Sequence, residues 1–236
     1  MSLKKYLPPA FRLFLKVKIR QWNDFRSSDY RLFASAQKND LKFEHAIAIV
    51  QTVRKNENFA NKVYNLSLGI AAIDGIVMQP GEIFSFWRHV GRPTPKNGFK
   101  LSRNIVSGEI SEDYGGGLCQ LSGIVYHLSL IAGLNIKERF SHSIDIYREE
   151  DRFTPLGADA TVVYGHKDLR IQNPFDFPVM LSVSIIDDRL ECVFSSPEKI
   201  APRTISFTHK TISHGVEVAT SSNAAVVNTA TYKRNH

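Results

Sequence analysis

Two cysteines, eight histidines and 23 carboxylates could do chemistry in this chain, and one cysteine stands in a setting that changes its reactivity. In Asp113-Tyr114-Gly115-Gly116-Gly117-Leu118-Cys119-Gln120, three glycines run directly towards Cys119. Beyond it, Leu121, Val125, Leu128 and Ala132 continue the three- and four-residue spacing begun at Leu118, the period of a buried helix face. Gly133 supplies a left-handed C-cap. The spacing predicts a buried helix with Cys119 in its first turn. Unpaired N–H groups and the positive dipole end at such a position stabilise a thiolate over a thiol. Glycines just upstream let backbone N–H groups approach an oxyanion. This is the environment of a cysteine nucleophile. The competing reading is a packed, inert cysteine behind a flexible turn, since free cysteines are commonly buried.

A cysteine nucleophile needs a base and a group that orients the base. His142 follows Cys119 by 23 residues and Asp159 follows His142 by 17. A helix leaving Cys119, followed by strands that return to its N-terminal end, brings all three together. That order of cysteine helix, histidine strand and aspartate strand is the one found in papain- and transglutaminase-like folds. The N–H groups around Gly116, Gly117, Leu118 and Gln120 are the expected oxyanion donors. His127 is no candidate base, because eight residues along the same helix put it about 12 Å from Cys119. His89 follows Phe86-Trp87 and could line a cleft, His166 falls in a turn, and the acidic run 149–151 reads as a solvated loop. Cys119 lacks local partners at zinc-ligand spacing, so neither a metal nor a cofactor is expected. Cys192 alternates with Leu190 and Phe194 and reads as a core strand residue.

The elements that must position these residues follow from periodicity. A helix is expected over 58–75, with Val63, Leu66, Ile70 and Ile73 in register. A short strand follows Pro80-Gly81, and a small hairpin around 105–110 precedes the glycines. His142 is expected on a strand over 135–143, extended by Ile144-Asp145-Ile146-Tyr147, and Asp159 on a second strand over 159–165. Alternation over 179–186 and 190–194 predicts an antiparallel meander. Residues 32–60 read as helix or loop, with Phe43, Ile47 and Val50 at helical spacing. The last residues, 200–236, read as one or more late strands with a frayed end. The expected fold is therefore α+β, with the Cys119 helix packed on an antiparallel sheet. The expected division is a basic, amphipathic helical segment 1–57, a central domain 58–199 and a C-terminal part 200–236.

At 43% hydrophobic and 22% charged residues the chain can bury a sizeable core. Its net charge of +7 is unevenly spread, because residues 1–31 hold eight Lys or Arg against two Asp, leaving the remainder at +1. The basic balance thus describes one segment and not a nucleic-acid surface across the fold. Within that segment Phe11, Phe14, Leu15, Trp22 and Phe25 fall on a broad stripe, with Arg12, Lys16 and Arg20 elsewhere. Basic amphipathic helices of this kind bind membrane surfaces. The alternative is a helix docked on its own domain. The segment does not read as a signal peptide, since charges interrupt the apolar run.

Four stretches together resemble the VanW family: Pro80-Gly81-Glu82-Ile83-Phe84-Ser85-Phe86, the glycine-cysteine motif, His142-Ser143, and Gly157-Ala158-Asp159-Ala160-Thr161-Val162-Val163-Tyr164-Gly165. The resemblance covers about residues 58–195. Two departures are Trp87, where the pattern has asparagine, and Gly123, where it has serine or threonine; both bear on substrate contacts, and Trp87 is assigned to them. The resemblance implies a link to the bacterial envelope and to vancomycin resistance, with the family's reaction left open. One reading is an enzyme in which Cys119 attacks an amide or acyl carbonyl of a peptidoglycan-type peptide, His142 shuttles the proton and Asp159 orients His142. The other is a noncatalytic accessory module that binds a cell-wall precursor or a partner protein. With no signal sequence read, the expected location is cytoplasmic, peripheral on the inner membrane face through residues 1–31.

Overall fold

The computed structural model describes residues 7–35, 43–55, 58–106, 109–145 and 152–234. Expectations for the first six residues, for Ile146-Tyr147 and for the acidic run 149–151 lie outside these. In chain order the elements are α1 (Pro9–Ser27), β1 (His45–Thr52), α2 (Phe59–Ile73), β2 (Ile76–Met78), β3 (Ile83–Ser85), α3 (Phe86–Val90), β4 (Leu101–Val106), β5 (Glu109–Tyr114), α4 (Leu118–Ala132), β6 (Asn135–Glu138) and β7 (Ile144–Asp145), then β8 (Arg170–Gln172), β9 (Val179–Ile186), β10 (Arg189–Ser196), β11 (Ile205–Ile212), β12 (Gly215–Ser222) and β13 (Ala225–Arg234). The fold is α+β. Its strands form four small sheets, ordered β1-β10-β9-β2, β3-β8-β6, β11-β12-β13-β7 and β4-β5. Pairing is antiparallel in the described ladders, apart from the short parallel contact of β13 with β7.

The cysteine helix α4 is the centre of the core. Leu121, Ile124, Val125 and Leu128 are fully buried, so truncating one of them to alanine would cost about 2–5 kcal/mol. The helix packs between α2 and the β1–β10 pair. Gly69 of α2 sets the approach of the two helices. A Cβ there would fall 2.7 Å from a Leu121 methyl and 2.8 Å from one of Leu118. The meander expected at 179–194 is β9 and β10, paired from Ile186 with Arg189 to Met180 with Ser195.

Three expectations are corrected. Residues 45–52 form a strand and not a helix or loop; β1 pairs along its whole length with β10. Its β-branched residues face the core at 47 and 49 with Gln51, a period of two that helical spacing at 43, 47 and 50 concealed. His142 and Asp159 both lie on irregular segments, since β6 ends at Glu138 and residues 158–162 join no strand. Ala158, Ala160 and Val162 are buried as alternation requires, but Thr161 is buried too. The segment is sandwiched between α4 and the 139–143 loop, with no neighbouring strand to pair with. Finally, the C-terminal part is a three-stranded antiparallel sheet through Arg234, more regular than a late strand and a frayed end.

Candidate active site

Cys119 is the second residue of α4, after the N-cap Gly117 and Leu118. The turn that leads into it is held from two sides. Gly117 has φ +103°, the left-handed region that favours glycine, and a Cβ there would press on Lys62 and Leu66 of α2 at 3.1 and 3.2 Å. Asn65, fully buried on α2, donates to the carbonyls of Gly116 (3.3 Å) and Lys100 (2.9 Å) and accepts from the Lys100 N–H at 2.8 Å. One side chain thus ties the glycine turn and the start of β4 to α2.

Two of the four expected donors at the helix start are already engaged. The Leu118 and Gln120 N–H groups are engaged by the carbonyls of Gly115 (3.2 Å) and Gly117 (2.9 Å). The N–H groups of Gly116, Gly117 and Cys119 have no acceptor among the described residues, which leaves Cys119's own N–H as the donor adjacent to its sulfur. Gln120 is buried, with its amide nitrogen on the Thr52 carbonyl at 3.0 Å. Trp87 does not join the cysteine directly. Asp168 accepts its backbone N–H at 3.0 Å, and its indole N–H donates to the Lys167 carbonyl at 2.8 Å. It stacks edge-on against Tyr164 and so forms the wall behind the 163–167 turn.

Residues 158–162 cross the start of α4. Ser122 Oγ donates to the Ala160 carbonyl at 2.7 Å, and the Thr161 N–H donates to the Phe140 carbonyl at 2.7 Å. This places Thr161 Oγ1 3.6 Å from Cys119 Sγ and the Val162 carbonyl oxygen 3.8 Å from it. A Cβ on Gly123 would make only ordinary contact with Asp159 and Ala160, so the small residue is a convenience of packing there and no strict requirement.

Asp159 is the hub. Its Oδ2 accepts the His142 backbone N–H at 2.7 Å and lies 2.6 Å from His142 Nδ1. Its Oδ1 accepts from Arg139 at 2.9 Å and from the Tyr232 hydroxyl at 2.5 Å. Arg139 also holds the Asp159 carbonyl at 2.8 Å and the Gly157 carbonyl at 3.1 Å, with its guanidinium over the Tyr126 ring of α4. Four donors on one carboxylate fix its position and its charge. With Nδ1 committed to Asp159, the other ring nitrogen of His142 is the one left to act on Cys119.

The electrostatics follow from this geometry. Burial alone would raise the Cys119 pKa, but hydrogen bonding and charge from His142, with smaller contributions from Val162 and Thr161, pull it below the ordinary thiol value. Burial would lower the His142 pKa, yet Asp159 and Cys119 push it up to about 10. Burial would raise Asp159, and His142, Arg139 and Tyr232 together hold it well below the carboxylate range. Each shift favours the charged form of its group: thiolate for Cys119, imidazolium for His142 and carboxylate for Asp159. Cys119 and the His142 side chain, 21% exposed, are partly open to solvent. Cys192 is fully buried and pushed far up by desolvation.

Arg139 and Tyr232 escape a reading of the sequence alone. Arg139 sits three residues before His142, where a cation carries no special signal. Tyr232 joins the site across 73 residues of chain, from β13. Its one trace is the pattern of β13, where Ala230 and Tyr232 share a buried face. Lys62 is a third addition; its stem covers Gly117, and burial with the Arg54 charge lowers its pKa to about 8. The remaining histidines stand apart: His89 stacks on Phe84 with its pKa lowered to about 4 by burial and Arg88, and His127 packs edge-on against Phe207. Among the described residues no three His, Cys, Asp or Glu side chains are grouped to hold a metal ion.

Residues 61–195 match the model of the family described as VanW like protein. The chain is 34% identical over 165 residues to the uncharacterized protein YoaR of Bacillus subtilis, covering 64% of this chain and 52% of that protein. It is 32% identical over 133 residues to the vancomycin B-type resistance protein VanW of Enterococcus faecalis, covering 55% of this chain and 47% of that protein. The chain therefore spans about half the length of the curated relatives it matches. No solved structure matches. The glycine-cysteine turn, His142 and Asp159 all fall inside the matched region, whereas Tyr232 and α1 fall outside it.

Proposed function

This chain belongs to the VanW-like family, and from that premise we propose that it is a cysteine-dependent acyl- or amide-transfer enzyme acting on peptidoglycan-type peptides at the bacterial envelope. The observation that carries the reading is the Asp159–His142 pairing at 2.6 Å, in a chain whose Cys119 stands in the first turn of a helix; the histidine charge acts to lower the thiol pKa there. A purely structural cysteine has no need of a charged histidine oriented by a four-fold satisfied carboxylate. The link to cell-wall peptides comes from the relative named for vancomycin resistance.

In this mechanism the Cys119 thiolate attacks the carbonyl carbon of an amide, and the electron pair of the C=O moves onto oxygen. The Cys119 N–H and the helix dipole stabilise that oxyanion. The imidazolium of His142 gives its proton to the departing amine as the C–N bond breaks, leaving a thioester on Sγ. Neutral His142 then takes a proton from water, for hydrolysis, or from an amine, for transfer, and the thioester collapses to restore the thiolate. Asp159 keeps the ring in one tautomer and orientation, a contribution of the kind that makes a positioned histidine worth about 10²–10⁴-fold in rate. Mass spectrometry of the protein incubated with stem peptides tests this. An acyl adduct on Cys119 that disappears in Cys119→Ala is expected. Binding of the same peptides with no adduct and no turnover would replace the enzyme by the noncatalytic accessory module.

A further inference from the structure

The first helix is docked through two ion pairs and two small apolar contacts, and its aromatic side faces outward. Leu13, Val17, Arg20 and Asp24 recur every three or four residues and are the half-buried positions of α1 that face the domain. Arg20 makes a two-pronged pair with Glu138 at 2.9 and 2.7 Å, and Asp24 a two-pronged pair with Arg170 at 2.6 and 2.9 Å. Leu13 and Val17 lie against Gly165, where a Cβ would meet them at 2.8 and 3.0 Å. At 100° per residue the opposite side of the helix carries Phe11, Phe14, Leu15, Ile19, Trp22 and Phe25. All six are exposed, Trp22 at 61%. Nine of the seventeen exposed large hydrophobic side chains among the described residues lie between Leu7 and Leu32, so this is one patch and not scatter.

We infer that α1 is an interfacial anchor that seats the protein on an anionic lipid bilayer, apolar side down. The charge pattern selects this occupant. Lys18 and Arg26 stand within the apolar sector and Arg12 and Lys16 on its flank, while Asp24 is turned to the domain. A second copy on the same face, related by a two-fold axis, would bring these cations against their own counterparts. On an anionic bilayer, lysine and arginine stems lie along the apolar surface and their heads reach the lipid phosphates. Trp22 and Phe25, with rings 6.1 Å apart, and Phe25 and Tyr30, at 5.2 Å, form an aromatic row suited to the headgroup boundary. The anchor is independent of the cysteine chemistry. Its ion pairs fix it rigidly to β6 and β8, and Val162, which touches Cys119, immediately precedes the 163–167 turn beneath it.

The test is flotation of the full chain with vesicles of phosphatidylcholine alone and with about one third phosphatidylglycerol, alongside its mass in solution by light scattering. Binding to the anionic vesicles is expected, weakened by high salt. Phe14→Ser with Trp22→Ser, and separately Lys18→Glu with Arg26→Glu, should each lower the bound fraction about tenfold or more while melting temperature stays at the wild-type value. Equal binding to neutral vesicles, unchanged binding in both double variants, or a dimer that dissociates in Phe14→Ser/Trp22→Ser with no flotation would overturn the inference; the last would assign the face to a second copy.

Discussion

The Tyr232 hydroxyl donates to Asp159 Oδ1 at 2.5 Å, so the last strand of the C-terminal sheet reaches a carboxylate whose other partners, Arg139 and His142, lie close to it in the chain. Asp159 holds His142 with one oxygen and Arg139 and Tyr232 with the other. Orientation of the histidine thus depends on a sheet outside the region that matches the family.

Cys119 should be the reactive thiol. At pH 7 iodoacetamide is expected to alkylate Cys119 far faster than Cys192, which is buried, apolar in its surroundings and raised in pKa. Quantifying the two labelled peptides over time checks this. Slow labelling of both would mean that Cys119 is packed and inert.

His142→Ala should slow Cys119 labelling at pH 7. A thiol returned to its ordinary pKa of about 8.5 is only about 3% ionised at that pH, so about thirtyfold is the ceiling on the loss of thiolate, and a fall in rate within that ceiling is expected. Asp159→Asn should slow it less, because the imidazole remains while its orientation and charge are weakened. A rate unchanged in His142→Ala would break the link between the two side chains.

Asp159→Asn should instead carry the larger stability cost. It leaves Arg139, only 5% exposed at its side chain, without its anionic partner, and breaking a buried pair costs about 3–5 kcal/mol. Tyr232→Phe removes the hydroxyl that donates to Asp159 and accepts from Arg139, losing hydrogen bonds to charged groups of the kind worth about 1.5–3 kcal/mol, but leaves the Asp159–Arg139 pair itself intact. Urea titration of the two variants should give that order, with Tyr232→Phe retaining Cys119 labelling closer to wild type than Asp159→Asn.

The pH dependence has a definite sign on each side. His142 has a raised pKa, so its contribution to stability is fully present below the ordinary imidazole value and is lost as pH rises through about 10. Asp159 is depressed, so its contribution is present above the ordinary carboxylate value and lost as pH falls towards its folded value. The stability advantage of wild type over His142→Ala should therefore shrink steadily from about pH 6.5 to about pH 10, and that over Asp159→Asn should shrink as pH drops below about 4. Cys119 is also depressed, so labelling in the wild type should persist at pH values where Cys119 of His142→Ala no longer reacts. Denaturant titrations and labelling rates across pH check each arm; an advantage that grows above pH 9 would contradict the histidine assignment.

Asn65→Ala tests the support of the glycine turn. It leaves the Lys100 N–H and the carbonyls of Gly116 and Lys100 without their partner, a buried loss of about 1–3 kcal/mol. Labelling of Cys119 is expected to change along with stability, since the N–H groups at the start of α4 lose their fixed direction. Loss of stability with labelling unchanged would show that α4 holds Cys119 without help from α2.

What the sequence determined by itself is local. The spacing from Leu118 to Ala132, opened by glycines and closed by Gly133, specifies the helix and puts Cys119 at its start, because helix period and caps are properties of neighbouring residues. The α2 helix, the β4–β5 hairpin and the β9–β10 meander are legible for the same reason, and the motif around 159 supplies both the partner of His142 and the Thr161 and Val162 groups beside Cys119. What only the tertiary structure decided is which groups face each other across long stretches of chain. His142 and Asp159 look strand-borne by alternation, but a strand exists only where another can pair with it, and α4 and the 139–143 loop occupy both sides of 158–162. Residues 45–52 suit two periods, and the free ladder of β10 selects the strand. The same limit hid Arg139 and Tyr232, whose roles come from converging on one carboxylate. It also hid the orientation of α1: an amphipathic pattern states that a helix has two faces, and the partners Glu138 and Arg170 determine which of them is turned outward.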